Sequence, residues 1–206
     1  MRVVHLGVDS QAFRPFPEIR RRPNRLMATA SADVPLKGLV YLVRAYHELL
    51  KTRPDLELVV IGKLREGPTA KLLGELGILD KVQFKTGLTD EEIAKLYAEA
   101  TIAVAPSVYE GFGFPPAEAM ACKVPVVSSD GGSLPEVVGD AAVVVPKKDG
   151  MALAKAIGEL LDDPERQARL GEAGYKRIHE RFLWSRCAAN LIDVYREVID
   201  ANRSNR

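Results

Sequence analysis

Residues 101–122 read TIAVAPSVYEGFGFPPAEAMAC, and this stretch carries the strongest local signals in the chain. Its first part, Thr101–Ala105, is short, apolar and partly β-branched, which is typical of a buried parallel strand. The glycines that follow predict a loop, and Pro115 and Pro116 suit the first turn of a helix, where a missing N–H costs nothing. The stretch therefore predicts a strand, a glycine loop and a helix that begins near Pro115.

Two glutamates, Glu110 and Glu118, bracket the glycine loop and the predicted helix start. We expect Glu118 in the first helical turn, where an acid complements the helix dipole even without a function. Helix N-termini favour anions such as phosphate, whereas carboxylates accept hydrogen bonds from hydroxyl groups. A nucleotide sugar carries both phosphate and hydroxyl groups, and the pattern suggests such a ligand.

Apolar strands alternate with amphipathic helices along the rest of the chain. The predicted strands are 25–31, 56–61, 82–84, 101–105, 124–128 and 141–145. The predicted helices are 37–51, 69–76, 89–98, 115–122, a short one after Ser133, 151–161, 164–181 and 184–202. This order predicts an α/β fold with a Rossmann-like, doubly wound parallel sheet of about six strands. Such a sheet binds its ligands at the carboxyl ends of the strands.

The chain divides into three predicted parts. Residues 1–24 are rich in Pro and Arg without a sustained period, and they predict an inter-domain linker. Residues 25–182 predict a nucleotide-sugar-binding domain, and residues 183–206 a C-terminal helix and tail. Two pairs with capping-box spacing, Thr89 with Glu92 and Ser133 with Glu136, predict helix starts.

Composition excludes several classes of protein. A formal net charge of +1 with 28% charged residues gives no electrostatic reason for nucleic acid or an anionic membrane as partner. No apolar run is long enough for a membrane span. The two cysteines, Cys122 and Cys187, form no disulfide framework and indicate a reducing, cytoplasmic location. The histidines His5, His47 and His179 have no metal-ligand spacing, so we expect no metal and no other cofactor.

An ordered set of motifs runs through the chain. It comprises Gly7-Val8-Asp9, Phe13-Arg14-Pro15, Lys37-Gly38, Glu110 and Glu118 with seven residues between them, Pro125-Val126-Val127, Gly131-Gly132, Pro135-Glu136, and the aromatic pair Phe182 and Trp184. This set resembles the C-terminal, nucleotide-sugar-binding domain of the family 4 retaining glycosyltransferases, or group 1 glycosyl transferases, which have the GT-B fold. The resemblance covers nearly the whole chain but only the C-terminal half of a complete enzyme of that family.

The resemblance implies a domain that binds the donor of a retaining glycosyltransferase. Such an enzyme moves a hexose-type sugar from a UDP-, GDP- or ADP-linked donor to an acceptor, as in carbohydrate biosynthesis. The acceptor would bind mainly to an N-terminal domain that this sequence lacks, so we expect the isolated chain to be inactive. We also expect no divalent metal, because a lysine and a helix dipole offset the diphosphate charge.

The resemblance also assigns site residues. It implies two catalytic residues: Lys37, which neutralises the diphosphate, and Glu110, which contacts hydroxyls of the donor sugar. Glu118 would accept hydrogen bonds from the ribose, and Leu88 lies in the region that flanks the nucleotide base. The glycine loop would bind sugar and phosphate oxygens through the backbone N–H groups of Gly111, Phe112, Gly113 and Phe114.

The sequence departs from the family pattern at two positions. The family usually has arginine where this chain has Ala32, which leaves one cation in place of two; Lys63 is a candidate to compensate. The family often has glycine where this chain has Lys123, so we expect left-handed backbone geometry there. The first departure keeps an alternative open: a non-catalytic nucleotide-sugar-binding or partner module.

Two further enzyme classes are weaker alternatives. Another nucleotide-sugar enzyme with the GT-B fold, such as an epimerase, would usually lack this ordered set of motifs. A nicotinamide oxidoreductase is disfavoured because no Gly-x-Gly-x-x-Gly joins the first strand to its helix.

Overall fold

The computed structural model describes residues 2–30 and 34–204. In this part of the chain one sheet has six strands: β1 (Arg25–Thr29), β2 (Glu57–Ile61), β3 (Val82–Lys85), β4 (Ile102–Ala105), β5 (Val126–Ser129) and β6 (Val143–Val145). Each neighbouring pair is parallel, and the strand order is β3-β2-β1-β4-β5-β6. The prediction of a Rossmann-like parallel sheet is confirmed.

Helices connect successive strands and close the chain. They are α1 (Leu39–Leu50), α2 (Pro68–Glu75), α3 (Asp90–Glu99), α4 (Phe114–Ala121), α5 (Leu134–Val138), α6 (Gly150–Leu161), α7 (Pro164–Arg181) and α8 (Trp184–Ser204). Two 3-10 turns, Pro35–Lys37 and Leu79–Lys81, precede α1 and β3. Every predicted strand and helix is present, with ends shifted by a few residues.

The sheet has an apolar core on each face. On one face α1, α2 and α6 pack together, and Leu42, Leu58 and Ile157 are fully buried there. On the other face α4 contacts α3, α5 and α7, around buried residues that include Met27 and Met120. Burial of each such side chain stabilises the fold by about 1.5–3 kcal/mol, so both faces hold the strand ends in place.

The N-terminal segment packs onto this domain. Phe13 and Phe16 are buried in the second core. The N–H of Val8 donates to the carbonyl of Phe182 at 2.7 Å, and Val8 forms an isolated parallel bridge with Leu183. The segments around Val8 and Leu183 thus lie side by side. The linker interpretation of residues 1–24 and the domain limits at 25 and 182 stay predictions.

The two predicted capping boxes have different outcomes. The first is confirmed: the N–H of Thr89 donates to Glu92 Oε2 at 2.8 Å, and the N–H of Glu92 to Thr89 Oγ1 at 3.3 Å. The second is wrong, because no side chain caps α5. The Ser133 hydroxyl donates instead to the carbonyls of Phe112 at 2.7 Å and Glu110 at 3.1 Å. The hydroxyl is therefore directed toward the loop carbonyls and not toward the N–H groups of the helix start.

Candidate functional site

Two loops meet where the strand order reverses. Strand β1 lies between β2 and β4, so the connections after β1 and β4 lead to opposite sides of the sheet. The loop after β1 ends in the turn Pro35–Lys37, and residues 106–113 link β4 to α4. Open α/β sheets bind ligands in the crevice at this reversal.

The backbones of the two loops are joined directly. The N–H of Val108 donates to the carbonyl of Leu36 at 2.8 Å. Gly38 has φ 66°, and a Cβ there would lie 2.0 Å from the carbonyl oxygen of Pro106. Only glycine permits both this backbone conformation and this approach, so the Lys37-Gly38 motif fixes the distance between the loops.

Lys37 and Glu110, the two residues predicted as catalytic, form an ion pair across the loops. Lys37 Nζ lies 2.6 Å from Glu110 Oε1. The same oxygen accepts a hydrogen bond of 2.9 Å from the Ser107 hydroxyl. The Glu110 side chain is 12% exposed and that of Lys37 31%, so bulk water screens the pair little. The site therefore holds a lysine and a carboxylate in fixed positions before any ligand binds.

The loop that carries Glu110 is held from behind by residues 131–133. A Cβ at Gly131 would lie 2.3 Å from the carbonyl oxygen of Ser107, and one at Gly132 would lie 2.3 Å from that of Glu110. The N–H of Ser133 donates to the carbonyl of Glu110 at 3.1 Å. The sequence analysis noted these glycines as part of the family pattern but missed this contact. The signal was the glycine pair followed by serine after β5.

The glycine loop presents hydrogen-bond donors at the start of α4. Gly113 is the N-cap of this helix, with φ 106° and no side-chain cap. No acceptor within the described residues takes the N–H groups of Gly111, Phe112, Gly113 and Phe114. A Cβ at Gly111 would meet nothing within 4 Å, so space remains above the loop. Free N–H groups at a helix N-terminus are suited to bind phosphate and hydroxyl oxygens.

The two phenylalanines of the loop have different environments. The Phe112 ring is half-buried and contacts the Phe182 ring edge-on, with centroids 5.8 Å apart. Phe114, the first residue of α4, is 38% exposed, and its ring centroid lies 5.0 Å from that of Phe112. Phe112 thus packs the loop against the domain, and its predicted ligand contact is left to the backbone N–H.

Glu118 lies one residue further along α4 than predicted. The helix begins at Phe114, so Glu118 is its fifth residue and lies outside the first turn. The side chain is half-buried, and no group among the described residues donates to it or pairs with it. Burial, followed by the charge of Asp90, raises the pKa of Glu118 to about 7. Its carboxyl oxygens are free to accept hydrogen bonds from a ligand.

A cleft of about 410 Å³ extends from Lys37 over the carboxyl ends of β1, β2 and β3. Its lining residues are Thr29, Lys37, Ile61, Gly62, Lys85, Thr86, Gly87 and Leu88. No acid is among them, and the half-buried Leu88, predicted to bind the donor, shares the cleft with Lys37. Of the predicted site residues, Lys37 and Leu88 line this cleft, and the ion pair of Lys37 with Glu110 links the cleft to the glycine loop.

Other expectations from the sequence concern Ala32, Lys63, metal binding and membrane spans. Ala32 lies outside the described residues. Lys63 is exposed and does not line the cleft. In residues 2–30 and 34–204, no group of three or more His, Cys, Asp or Glu side chains is placed to hold a metal ion. Among the helices described, none combines the length and apolar character needed to cross a membrane.

The chain is similar to known glycosyltransferases. Residues 12–177 match the family described as glycosyl transferases group 1. Over 203 residues the chain is 47% identical to the MMP alpha-(1->4)-mannosyltransferase of Mycolicibacterium hassiacum, covering 97% of this chain and 49% of that protein. This chain therefore spans about half the length of the curated relatives it matches.

Solved structures share the fold. Sucrose-phosphate synthase from Thermosynechococcus elongatus matches with a TM-score of 0.85 and 28% identity, over 97% of this chain and 53% of that one. HepE from Anabaena, solved in complex with UDP-glucose, matches with a TM-score of 0.81 and 20% identity, over 95% and 57%. The second likeness shows the fold alone. Together with the family match, they show that the chain belongs to the group 1 glycosyl transferases and has the Rossmann-like domain fold of GT-B glycosyltransferases.

Proposed function

We propose that this chain binds a nucleoside diphosphate sugar and forms the donor-binding part of a retaining hexosyltransferase. The observation that carries the proposal is the ion pair of Lys37 and Glu110 beside the free N–H groups of the glycine loop. The donor has a charged diphosphate next to a sugar with several hydroxyl groups. The site complements both parts of the donor. It offers a cation and a row of N–H donors to the diphosphate, and two carboxyl groups to the hydroxyls.

Each part of the site has a separate role in this proposal. Lys37 and the N-terminus of α4 stabilise the charge that develops on the diphosphate as the glycosidic bond breaks. Glu110 accepts hydrogen bonds from the hydroxyls of the sugar, and Glu118 from those of the ribose. The base lies toward Leu88. Fixed groups at both ends of the donor orient its anomeric carbon, and orientation supplies much of the rate enhancement in such a transfer.

The name of a similar protein supports a hexose as the transferred sugar. The relative from M. hassiacum is a mannosyltransferase by name. The base stays open among uracil, guanine and adenine. We place the reaction in the cytoplasm, because Cys122 and Cys187 are free thiols.

Transfer to an acceptor requires more than this domain in our proposal. The carboxyl edge of the sheet binds the donor, and an acceptor-binding domain faces it across a cleft. The chain alone should bind donor and transfer little or no sugar. A radiolabelled-donor assay with and without an acceptor-binding half tests this division. Donor binding without transfer in any combination would favour the non-catalytic binding module.

Calorimetry with UDP-glucose, GDP-mannose and ADP-glucose, in the presence of EDTA, tests donor binding. We expect one base to be preferred and Lys37→Gln to weaken the Kd at least about tenfold, since a charge-assisted hydrogen bond contributes about 1.5–3 kcal/mol. Lys71→Gln is the matched control: this lysine is 79% exposed on α2, and its loss should leave the Kd unchanged. No binding of any donor, or equal losses in both variants, would contradict the proposal.

A further inference from the structure

Lys85 is a second cation in the cleft, and the sequence analysis did not identify it. It ends β3, is half-buried and lines the cleft together with Lys37. Its role depends on the proposed donor binding.

Lys37 alone is a poor match for the charge of a diphosphate. Its ammonium lies 2.6 Å from the Glu110 carboxylate, so the protein itself already offsets part of the positive charge of Lys37. The two phosphates of a nucleotide sugar each carry one negative charge. Since the pair is screened little by water, a donor bound beside it needs a further cation close by.

The strand register places Lys85 on the correct face of the sheet. Thr29 pairs with Ile61 and Ile61 with Lys85, so the three residues form a row across the carboxyl ends of β1, β2 and β3. The Thr29 hydroxyl lies 3.0 Å from the hydroxyl of Tyr97 in α3, and Ile61 packs against the second core. Register neighbours share a face, so the Lys85 side chain is on the face that carries α3 and α4.

The width of the row brings Lys85 within reach of the cleft centre. Neighbouring strands lie about 4.8 Å apart, so the Cα atoms of Thr29 and Lys85 are separated by about 10 Å. A lysine has a four-carbon stem and three donors on its ammonium. Lys85 and Lys37 line the same cleft, so both can approach one ligand bound there.

Lys85 has no counter-charge in the described part of the protein. No carboxylate there forms an ion pair with it, whereas Lys37 is paired, and no acid lines the cleft. We propose that Lys85 binds the diphosphate of the donor, so that two lysines rather than one neutralise it. Lys63, the compensating cation suggested by sequence, is exposed and is not part of this arrangement.

Binding measurements on neutral variants test this assignment. The probes are UDP, GDP and ADP by calorimetry, and uridine, guanosine and adenosine by ligand-observed NMR, which detects weaker binding. For the preferred base, Lys85→Gln and Lys85→Met should weaken the Kd of the diphosphate about tenfold and leave that of the nucleoside unchanged. Lys85→Arg keeps the charge and should stay within about threefold of the unchanged chain.

Lys63→Gln is the matched control, because it removes the same charge just beyond the end of the neighbouring strand. It should change the Kd by less than about twofold. Thermal melting identifies which of the two neutral variants at position 85 are folded. One folded variant is enough for the test. An unchanged diphosphate affinity would overturn the assignment, and so would an equal loss for the nucleoside, which would place Lys85 against base or ribose. Failure of the unchanged chain to bind any nucleotide would overturn the proposed function as well.

Discussion

The loop that carries Glu110 and the helix that carries Glu118 treat the same residue type in opposite ways. Glu110 is satisfied by the chain: it pairs with Lys37 at 2.6 Å and accepts from Ser107 at 2.9 Å. Glu118 is half-buried without a partner among the described residues, and burial raises its pKa to about 7. The carboxylate of Glu110 is fixed in position, and the lysine that fixes it offsets its negative charge. The other keeps its acceptors free at a cost in stability.

The difference separates two roles that a carboxyl group can have in a binding site. A carboxyl group that contacts the reacting sugar, the role proposed for Glu110, must have a defined position, and the surrounding loops provide it. A carboxyl group that only binds hydroxyls can remain unsatisfied until the ligand supplies the donors, because buried acceptors gain most from a hydrogen bond when they had none. We therefore expect neutral variants of the two glutamates to change stability in opposite directions.

Breaking the support of the Glu110 loop should have the largest effect. Gly132→Ala adds a Cβ 2.3 Å from the carbonyl oxygen of Glu110, at a position with φ 63°. We expect a loss of about 3 kcal/mol in the free energy of unfolding, from backbone strain and the clash together. Urea denaturation followed by circular dichroism measures it.

Gly111→Ala is the control for that change, because its Cβ would meet nothing within 4 Å. It should stay within about 0.5 kcal/mol of the unchanged protein. Equal losses at the two glycines would show that the contact between residues 131–133 and the Glu110 loop does not hold the loop in place.

Neutral variants of the two glutamates should change stability with opposite signs. The pKa of Glu118 rises on folding from 4.5 to about 7, so the folded state binds the extra proton between these values. Stability from this group is present below pH 4.5, falls as the pH rises to 7 and stays reduced above it. Glu118→Gln should therefore be about 2 kcal/mol more stable than the unchanged protein at pH 8 and nearly equal to it at pH 4.5.

Glu110→Gln leaves Lys37 without its charged partner and should lose about 1 kcal/mol at pH 8. The same urea titrations at both pH values give the comparison. If both variants are destabilised at pH 8, Glu118 has a partner in solution and the contrast between the two carboxyl groups fails.

Donor affinity should show a smaller effect of the same ionisation. If the ribose binds the ionised form of Glu118, the affinity for a nucleotide sugar should rise about tenfold from pH 6 to pH 8, since the group is mostly protonated at the lower pH. Nucleotide sugars suit this measurement because their phosphates are diesters that do not titrate in that range. Calorimetry at several pH values should give a flat profile for Glu118→Gln, and a flat profile for the unchanged chain would exclude this role.

The sequence predicted the sheet well, because strands and helix starts depend on local patterns; the roles of the site residues stay predictions. Apolar runs such as Ile102–Ala105 identify buried strands, and a strand followed by a glycine loop and Pro115 identifies a helix start. The left-handed geometry of Lys123 was also predictable, and its φ is 59°. Glu110 and Lys37 are 73 residues apart in sequence, yet their places after β4 and β1 put them at the same edge.

What sequence did not reveal depends on contacts between distant segments. Ser133 has the spacing of a helix cap, but its hydroxyl donates a hydrogen bond of 2.7 Å to the carbonyl of Phe112 instead. Lys85 and Lys63 look equivalent in sequence, since each lies near a strand end. Only the register of β2 with β3 shows that Lys85 faces the cleft. Contacts between segments that are distant in sequence determine these features, and local sequence patterns do not predict such contacts.

The bridge between Val8 and Leu183 gives the domain one shared point of entry and exit. Everything between these residues folds around the two cores, and the two connections lie side by side. A unit with adjacent ends can be exchanged between proteins without disturbing its host. Grafting residues 8–183 between related proteins should therefore transfer the proposed donor site as one unit, which makes chimeras a practical route to new combinations of donor and acceptor.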